Sequence, residues 1–233
     1  MKWKKVCCNV YMSLRDKKLI FGEYYHIYNR GNDKRDIFLD EKDYDRFMKL
    51  LYICNSSLNF KFNHSIVDQG IDAFQLYKEK PLVDVLCWVL MPNHFHLILI
   101  SKETNIWEGN YNPISEFMRK LSTAYVMYFN KKYKRSGGLF EGKFKSKNLN
   151  KENYFQYVFS YIHNNPIKLI QPKWKEEGIK NQKLAKEFLR KYKYSSLIDF
   201  LGQNRKESKI IDKDSLPEYI FTGLTCEVEK SVL

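Results

Sequence analysis

The sequence predicts an α+β fold in which helices pack on an antiparallel sheet. Short aromatic and β-branched runs end in turn residues, and two of them flank Pro92-Asn93 as a hairpin. Between these runs lie segments whose apolar residues recur at helical spacing. Apolar residues make up 44% of the 233-residue chain and aromatics 16%, enough for a sizeable core and against wholesale disorder. No fixed-period repeat and no low-complexity linker appears. A single folded region is therefore expected over 23–201, with an N-terminal extension over 1–22 and a C-terminal tail over 202–233.

The elements follow in order. Glu23 to Arg30 (EYYHIYNR) reads as a strand that Gly31-Asn32-Asp33 ends. Asp40 to Leu51 reads as a helix: Asp40 is placed to cap it, Asp43 sits three residues on, and Phe47, Leu50 and Leu51 share a face. Residues 55–80 are weakly patterned and read as an insertion with short strands. Leu82 to Met91 (LVDVLCWVLM) and His94 to Ser101 (HFHLILIS) form an antiparallel hairpin of two central strands. Pro113 to Lys132 is a helix with apolar residues at 114, 117, 118, 121, 125 and 128. Leu139 to Leu149 alternates as a basic strand, Lys151 to Asn164 is helical until Pro166 stops it, and Lys183 to Tyr192 is a further helix. Strand, helix, hairpin, helix, strand and helix make a sandwich of ferredoxin-like style.

Composition narrows the function classes. Forty Lys and Arg against 27 Asp and Glu give +13, a positive potential that raises encounter with polyanions such as nucleic acid. Most of that charge is lysine, so composition alone does not decide the matter. The longest clean apolar run, Val85 to Met91, is far short of a bilayer span. Asn9, Ser13, Arg15 and Asp16 interrupt what an export signal would keep apolar. Five cysteines with no CxxC pair read as reduced thiols, with Cys54 and Cys87 buried, and point to the cytoplasm.

Two constellations can carry chemistry. Residues i and i+2 of a strand project to one face, so His94 and His96 point together with alpha carbons about 6.5–7 Å apart while Phe95 points away. Both imidazoles can share one ion. A strand flanked by Leu97, Ile98, Leu99 and Ile100 is buried, so each ring needs a ligand or a hydrogen-bond partner there. On a helix, Tyr161 and Asn165 are i and i+4, so a phenol and an amide oxygen lie on one face. Tyr154 and Val158 extend that face, which leaves two readings of Tyr161, a core stripe or a presented phenol. Lys143, Lys145 and Lys147 alternate onto one strand face as a phosphate track, with Phe140 and Phe144 available for base stacking. Arg30 either contacts a phosphate or pairs with an acidic neighbour. The GxxxxGK match at Gly137 to Lys143 is discounted, because Phe144 stands where a phosphate loop needs Ser or Thr and no helix follows.

Three segments in order carry a resemblance: Tyr25-His26-Ile27-Tyr28-Asn29-Arg30-Gly31-Asn32, Met91-Pro92-Asn93-His94-Phe95-His96-Leu97-Ile98-Leu99, and Tyr161-Ile162-His163-Asn164-Asn165-Pro166-Ile167-Lys168. Together with Tyr194-Ser195-Ser196-Leu197, they resemble the REP-associated tyrosine transposases, a branch of the single-tyrosine HUH nucleases, over roughly 23–201. The resemblance implies a domain that cuts and rejoins single-stranded or hairpin DNA through a 5′-phosphotyrosine. In it Tyr161 would be the nucleophile, and His94 and His96 would hold Mg²⁺ or Mn²⁺. Asn165 would be the third ligand, where some relatives place glutamine. Arg30, Lys143, Lys145, Lys147 and Phe144 would bind the DNA. Mn²⁺ is the better match to mixed nitrogen and oxygen ligation. The alternative is a domesticated protein that grips hairpin DNA or RNA without cleaving it; an unrelated HxH metal hydrolase would want more ligands than the chain supplies. Monomer and homodimer both remain open.

Overall fold

A computed structural model describes residues 19–58, 70–78, 80–101 and 112–220. Strands β1 (Tyr24–Arg30), β2 (Asp84–Met91), β3 (His94–Ile100) and β4 (Lys145–Asn148) form one antiparallel sheet in the order β2-β3-β1-β4. Helix α1 (Glu41–Ile53) connects β1 to β2, and α2 (Pro113–Lys132) lies between β3 and β4. That is the βαββαβ order in which two βαβ units are split by an intervening strand. Alternation sorts the side chains. Tyr25, Ile27, Trp88, Leu90, Phe95, Leu97 and Leu99 pack with α1 and α2 in one core. Val89, Met91, Ile98 and Ile100 pack with α3 (Glu152–Asn164) in a second.

Local chemistry sets the helix starts. The Asp40 carboxylate accepts from the Asp43 amide at 3.1 Å, and Asp43 accepts from the Leu39 amide at 2.8 Å, so both ends of the capping turn are satisfied. Asp43 is fully buried because it also accepts from Lys132 at 2.6 Å and from the hydroxyls of Tyr128 and Tyr133 at 2.9 and 2.7 Å. One carboxylate thus starts α1 and ties it to the end of α2. Asn112 caps α2 by accepting from the Ile114 amide, with Pro113 at the first helical position.

The structure differs from the sequence pattern in two places. The strand expected over Leu139 to Leu149 is only β4, with one bridge from Phe140 to Gly31 before it; Gly142, at φ of 71°, breaks the extended run. The tail expected from 202 onward is packed against the domain as far as 220. Tyr194, Ser195 and Ser196 run along the outer edge of β2, with Leu90 N donating to Tyr194 O and Ser196 N to Trp88 O, both at 2.9 Å. Arg205 then clasps this segment, donating to Asp199 with two nitrogens at 2.7 Å and to the Lys193 and Ser195 carbonyls at 2.6 Å. Ile210 joins the first core, and Leu216 and Ile220 join the second. Covering β2 satisfies backbone groups that a bare edge would leave unpaired. Residues 221–233 and 1–18 lie outside the described residues, as do 59–69 and 79 of the expected insertion. Its described parts, 55–58, 70–78 and 80, carry a turn at Ala73–Gln75 that buries Ala73 and Phe74, the latter against Tyr52, and no strand. Among the described residues no helix is long and apolar enough to cross a membrane.

Candidate functional site

Pairing of β1 with β3 brings His26, Tyr28 and Arg30 onto the face that carries His94 and His96, while Phe95 points the other way into the first core. The His94 and His96 rings lie 5.1 Å apart, nearly perpendicular at 81°. His26 stands diagonal to His96, and its Nε2 is 2.8 Å from His96 Nδ1. On the far side of β1, Lys145 pairs with Tyr28 and Lys147 with His26, so both lysines sit on the histidine face. Helix α3 crosses the same face and sets the half-buried Tyr161 edge-on to His96, with ring centroids 5.6 Å apart at 71°. A cavity of about 450 Å³ opens here, lined by Tyr28, Arg30, His94, His96, Lys145 and Lys168 among others.

The hydrogen bonds decide which nitrogens are bare. Asn93 Nδ2 donates to the Lys34 carbonyl at 3.0 Å, which turns Asn93 Oδ1 to His94 Nδ1 at 2.6 Å. An amide oxygen only accepts, so His94 Nδ1 carries the proton and a neutral ring leaves Nε2 with a free lone pair. The Lys34 carbonyl is aimed by a tight turn in which Asp33 and Lys34 take left-handed φ of 54° and 59°. The turn closes only because residue 31 is glycine: a Cβ there would meet the Arg35 carbonyl oxygen at 2.1 Å and Ile37 Cγ2 at 2.9 Å.

Burial holds all three imidazoles neutral. It pushes His94 down to about 4, with Lys168 adding to the effect, and His26 down to about 4, with Lys147 adding. His96 is pushed well below the ordinary histidine range by burial and by its two histidine neighbours. Asn165, at the C-terminal end of α3, is 2% exposed and within hydrogen-bonding reach of His94. Its Nδ2 has no partner, so the amide oxygen faces the ring. That oxygen and the bare His94 Nε2 both carry lone pairs that a cation between them would engage. Two neutral imidazoles and an amide oxygen form a donor set that fits a divalent cation. Among the described residues no group of three or more His, Cys, Asp or Glu side chains is arranged to hold a metal, and the Asn165 amide oxygen is the candidate third donor.

The remaining sequence candidates fall in different places. Arg30 is engaged with Glu141 in a two-nitrogen pair at 3.0 Å each. Lys143 lies outside β4 and is exposed. Phe140 and Phe144 are partly buried against the α1–α2 core, on the side of the sheet away from the histidines. Sequence reading gave no role to His26, Asn93, Lys168 or Lys175. The signal for His26 was present, since it alternates with Tyr28 and Arg30, but its partner depends on the β1–β3 register. Lys175, in the short helix α4 (Trp174–Glu177), sits with Nζ 4.0 Å over the Tyr161 ring.

No protein-family model matches the chain, and no curated protein matches it. Among solved structures, the chain is similar to a REP-associated tyrosine transposase bound to a REP hairpin, at 12% identity and a TM-score of 0.46, over 84% of this chain and 90% of that one. This is a distant likeness of fold, a mixed α/β domain with an antiparallel sheet.

Proposed function

We propose that the chain is a metal-dependent nuclease and transesterase of single-stranded, hairpin-bearing DNA, with Tyr161 as nucleophile. The observation that carries the reading is the meeting of Tyr161 with His96, from elements some 65 residues apart in the chain, where His96 itself lines a cavity shared with Lys34, Lys145 and Lys168. The ordered motifs of the REP-associated tyrosine transposases add to it. His94, His96 and Asn165 would hold Mg²⁺ or Mn²⁺, which when bound would neutralise a non-bridging phosphate oxygen.

The chain's own groups do the rest. Lys145, Lys147 and Lys168 draw the phosphodiester backbone to the histidine face. Tyr161, held against His96 on one side and under Lys175 on the other, presents its hydroxyl to phosphorus. The phenol oxygen loses its proton as it bonds to the phosphorus of the 5′-phosphate, and the bond from phosphorus to the 3′-oxygen breaks, that oxygen taking up a proton to leave a 3′-hydroxyl. Reversal by that or another 3′-hydroxyl rejoins the strand with no nucleotide cofactor.

The test is a denaturing gel of protein mixed with hairpin-bearing single-stranded DNA and Mn²⁺. A slower covalent adduct is expected, lost in Tyr161→Phe while DNA binding persists. An adduct that survives Tyr161→Phe would remove Tyr161 as nucleophile. Binding without any adduct in the unaltered protein would favour the non-cleaving hairpin DNA or RNA binder.

A further inference from the structure

Helix α3 carries a row of phenols of which the chemistry above uses only the last. Tyr154, Tyr157 and Tyr161 recur at three- and four-residue spacing, so they lie on one side of the helix. Their rings are nearly parallel: Tyr154 and Tyr157 have centroids 6.4 Å apart at 15°, and Tyr157 and Tyr161 are 6.3 Å apart at 11°. Tyr154 and Tyr161 rest partly against the second core, but Tyr157 stands 63% exposed. A ring that exposed gains little from burial, and the same helix keeps its other large apolar residues, Phe155, Val158, Phe159 and Ile162, inside. The row is therefore not a core stripe. It leads from the solvent into the site at Tyr161.

Charge on this path favours a polyanion. Lys175 lies over Tyr161, Lys168 lines the cavity mouth, and neither makes an ion pair among the described residues. Aromatic faces set beside cations are the arrangement that binds a single strand without reading its sequence: lysines take the phosphates and rings take the bases. The residues that sequence reading assigned to stacking, Phe140 and Phe144, face the other side of the sheet, so the histidine face needs a different platform.

We infer that Tyr157, backed by Tyr154, is the stacking platform for the unpaired bases next to the phosphate that reaches Tyr161. This rests on the proposed reading of the site and adds the part of the DNA that α3 holds. The occupant is single-stranded DNA with its bases unstacked from a partner strand, because a duplex offers only edges and phosphates to an exposed ring.

An oligothymidylate and an abasic strand of equal length separate stacking from charge. Fluorescence anisotropy is expected to show that the unaltered protein prefers the oligothymidylate, and that Tyr157→Ala weakens its binding on the order of tenfold while leaving abasic binding unchanged. Tyr157→Phe, which keeps the ring, is expected to retain the preference. Met127→Ala, at an exposed position on α2 across the sheet, is expected to change neither strand's affinity. Equal oligothymidylate affinity in Tyr157→Ala and the unaltered protein would overturn the inference, as would a matching loss on the abasic strand. The outcome is separable from the reading of the site: an adduct with no base preference refutes the platform alone, and a Tyr157-dependent preference with no adduct refutes the cleavage alone.

Discussion

His26→Phe isolates the contact that orients His96. The substitution keeps an aromatic ring against Tyr28 and His96, whose rings each lie 4.9 Å from His26, and deletes the nitrogen 2.8 Å from His96 Nδ1. His96 is 7% exposed, so losing that partner leaves a buried polar nitrogen unsatisfied at about 1–3 kcal/mol. The functional cost is separate. When His96 Nδ1 donates to His26, its Nε2 is bare for a cation; without the partner nothing selects that tautomer. Removing such an orienting group typically costs about 10–100-fold in metal affinity. Mn²⁺ titration followed by the EPR signal of the free ion, near neutral pH, reads the affinity, and urea unfolding reads the stability. His26→Gln, which restores an acceptor oxygen, is expected to recover part of the affinity. Unchanged Mn²⁺ affinity in His26→Phe, while His94→Ala loses binding, would refute the argument that His26 sets His96.

Two further outcomes test the scaffold. His163 is fully buried, 3.0 Å from Ser196 Oγ and packed between Phe159 and Phe200, and burial holds it down to about 3. A histidine neutral when folded but protonated when unfolded, below about 6.5, stabilises the fold above that pH and loses the contribution as pH falls towards 3. Urea unfolding is expected to show a loss of roughly 4–5 kcal/mol over that window from this group, at about 1.4 kcal/mol per pH unit, and a shallower slope in His163→Leu. Arg205→Met leaves the Asp199 carboxylate, which is 0% exposed, without its charge partner and with only the Ser208 hydroxyl as a side-chain donor, and is expected to cost about 3–5 kcal/mol and to raise proteolysis after residue 200. Native-like stability in that variant would show that the clasp does not hold the C-terminal segment.

Periodicity made the hairpin and helices legible. Pro113 to Lys132 is helical over the whole predicted range, and Pro92-Asn93 turns the chain between β2 and β3 where turn chemistry placed it. The shared face of His94 and His96 follows from strand geometry alone. What escaped depends on distance in the chain. Which strand lies beside β3 is a choice of topology, so neither the His26 contact nor the separation of Phe144 from the histidines could be read from local pattern. The packing of 202–220 was missed for a related reason. Its anchors are one guanidinium and scattered apolar residues, Ile210, Leu216 and Ile220, with no period to betray them.

Gly31 has the widest reach for the least chemistry. It touches no histidine, yet the turn it permits aims the Lys34 carbonyl at Asn93, and Asn93 decides where the His94 proton sits. One added methyl in Gly31→Ala would push that loop outward and free the amide to rotate. Mn²⁺ affinity is expected to fall in this variant even though every candidate ligand is intact. The turn after β1 thus reaches the His94 ring through two relayed contacts, so that drift at a silent backbone position could undo the proposed cation site while leaving its candidate ligands unchanged.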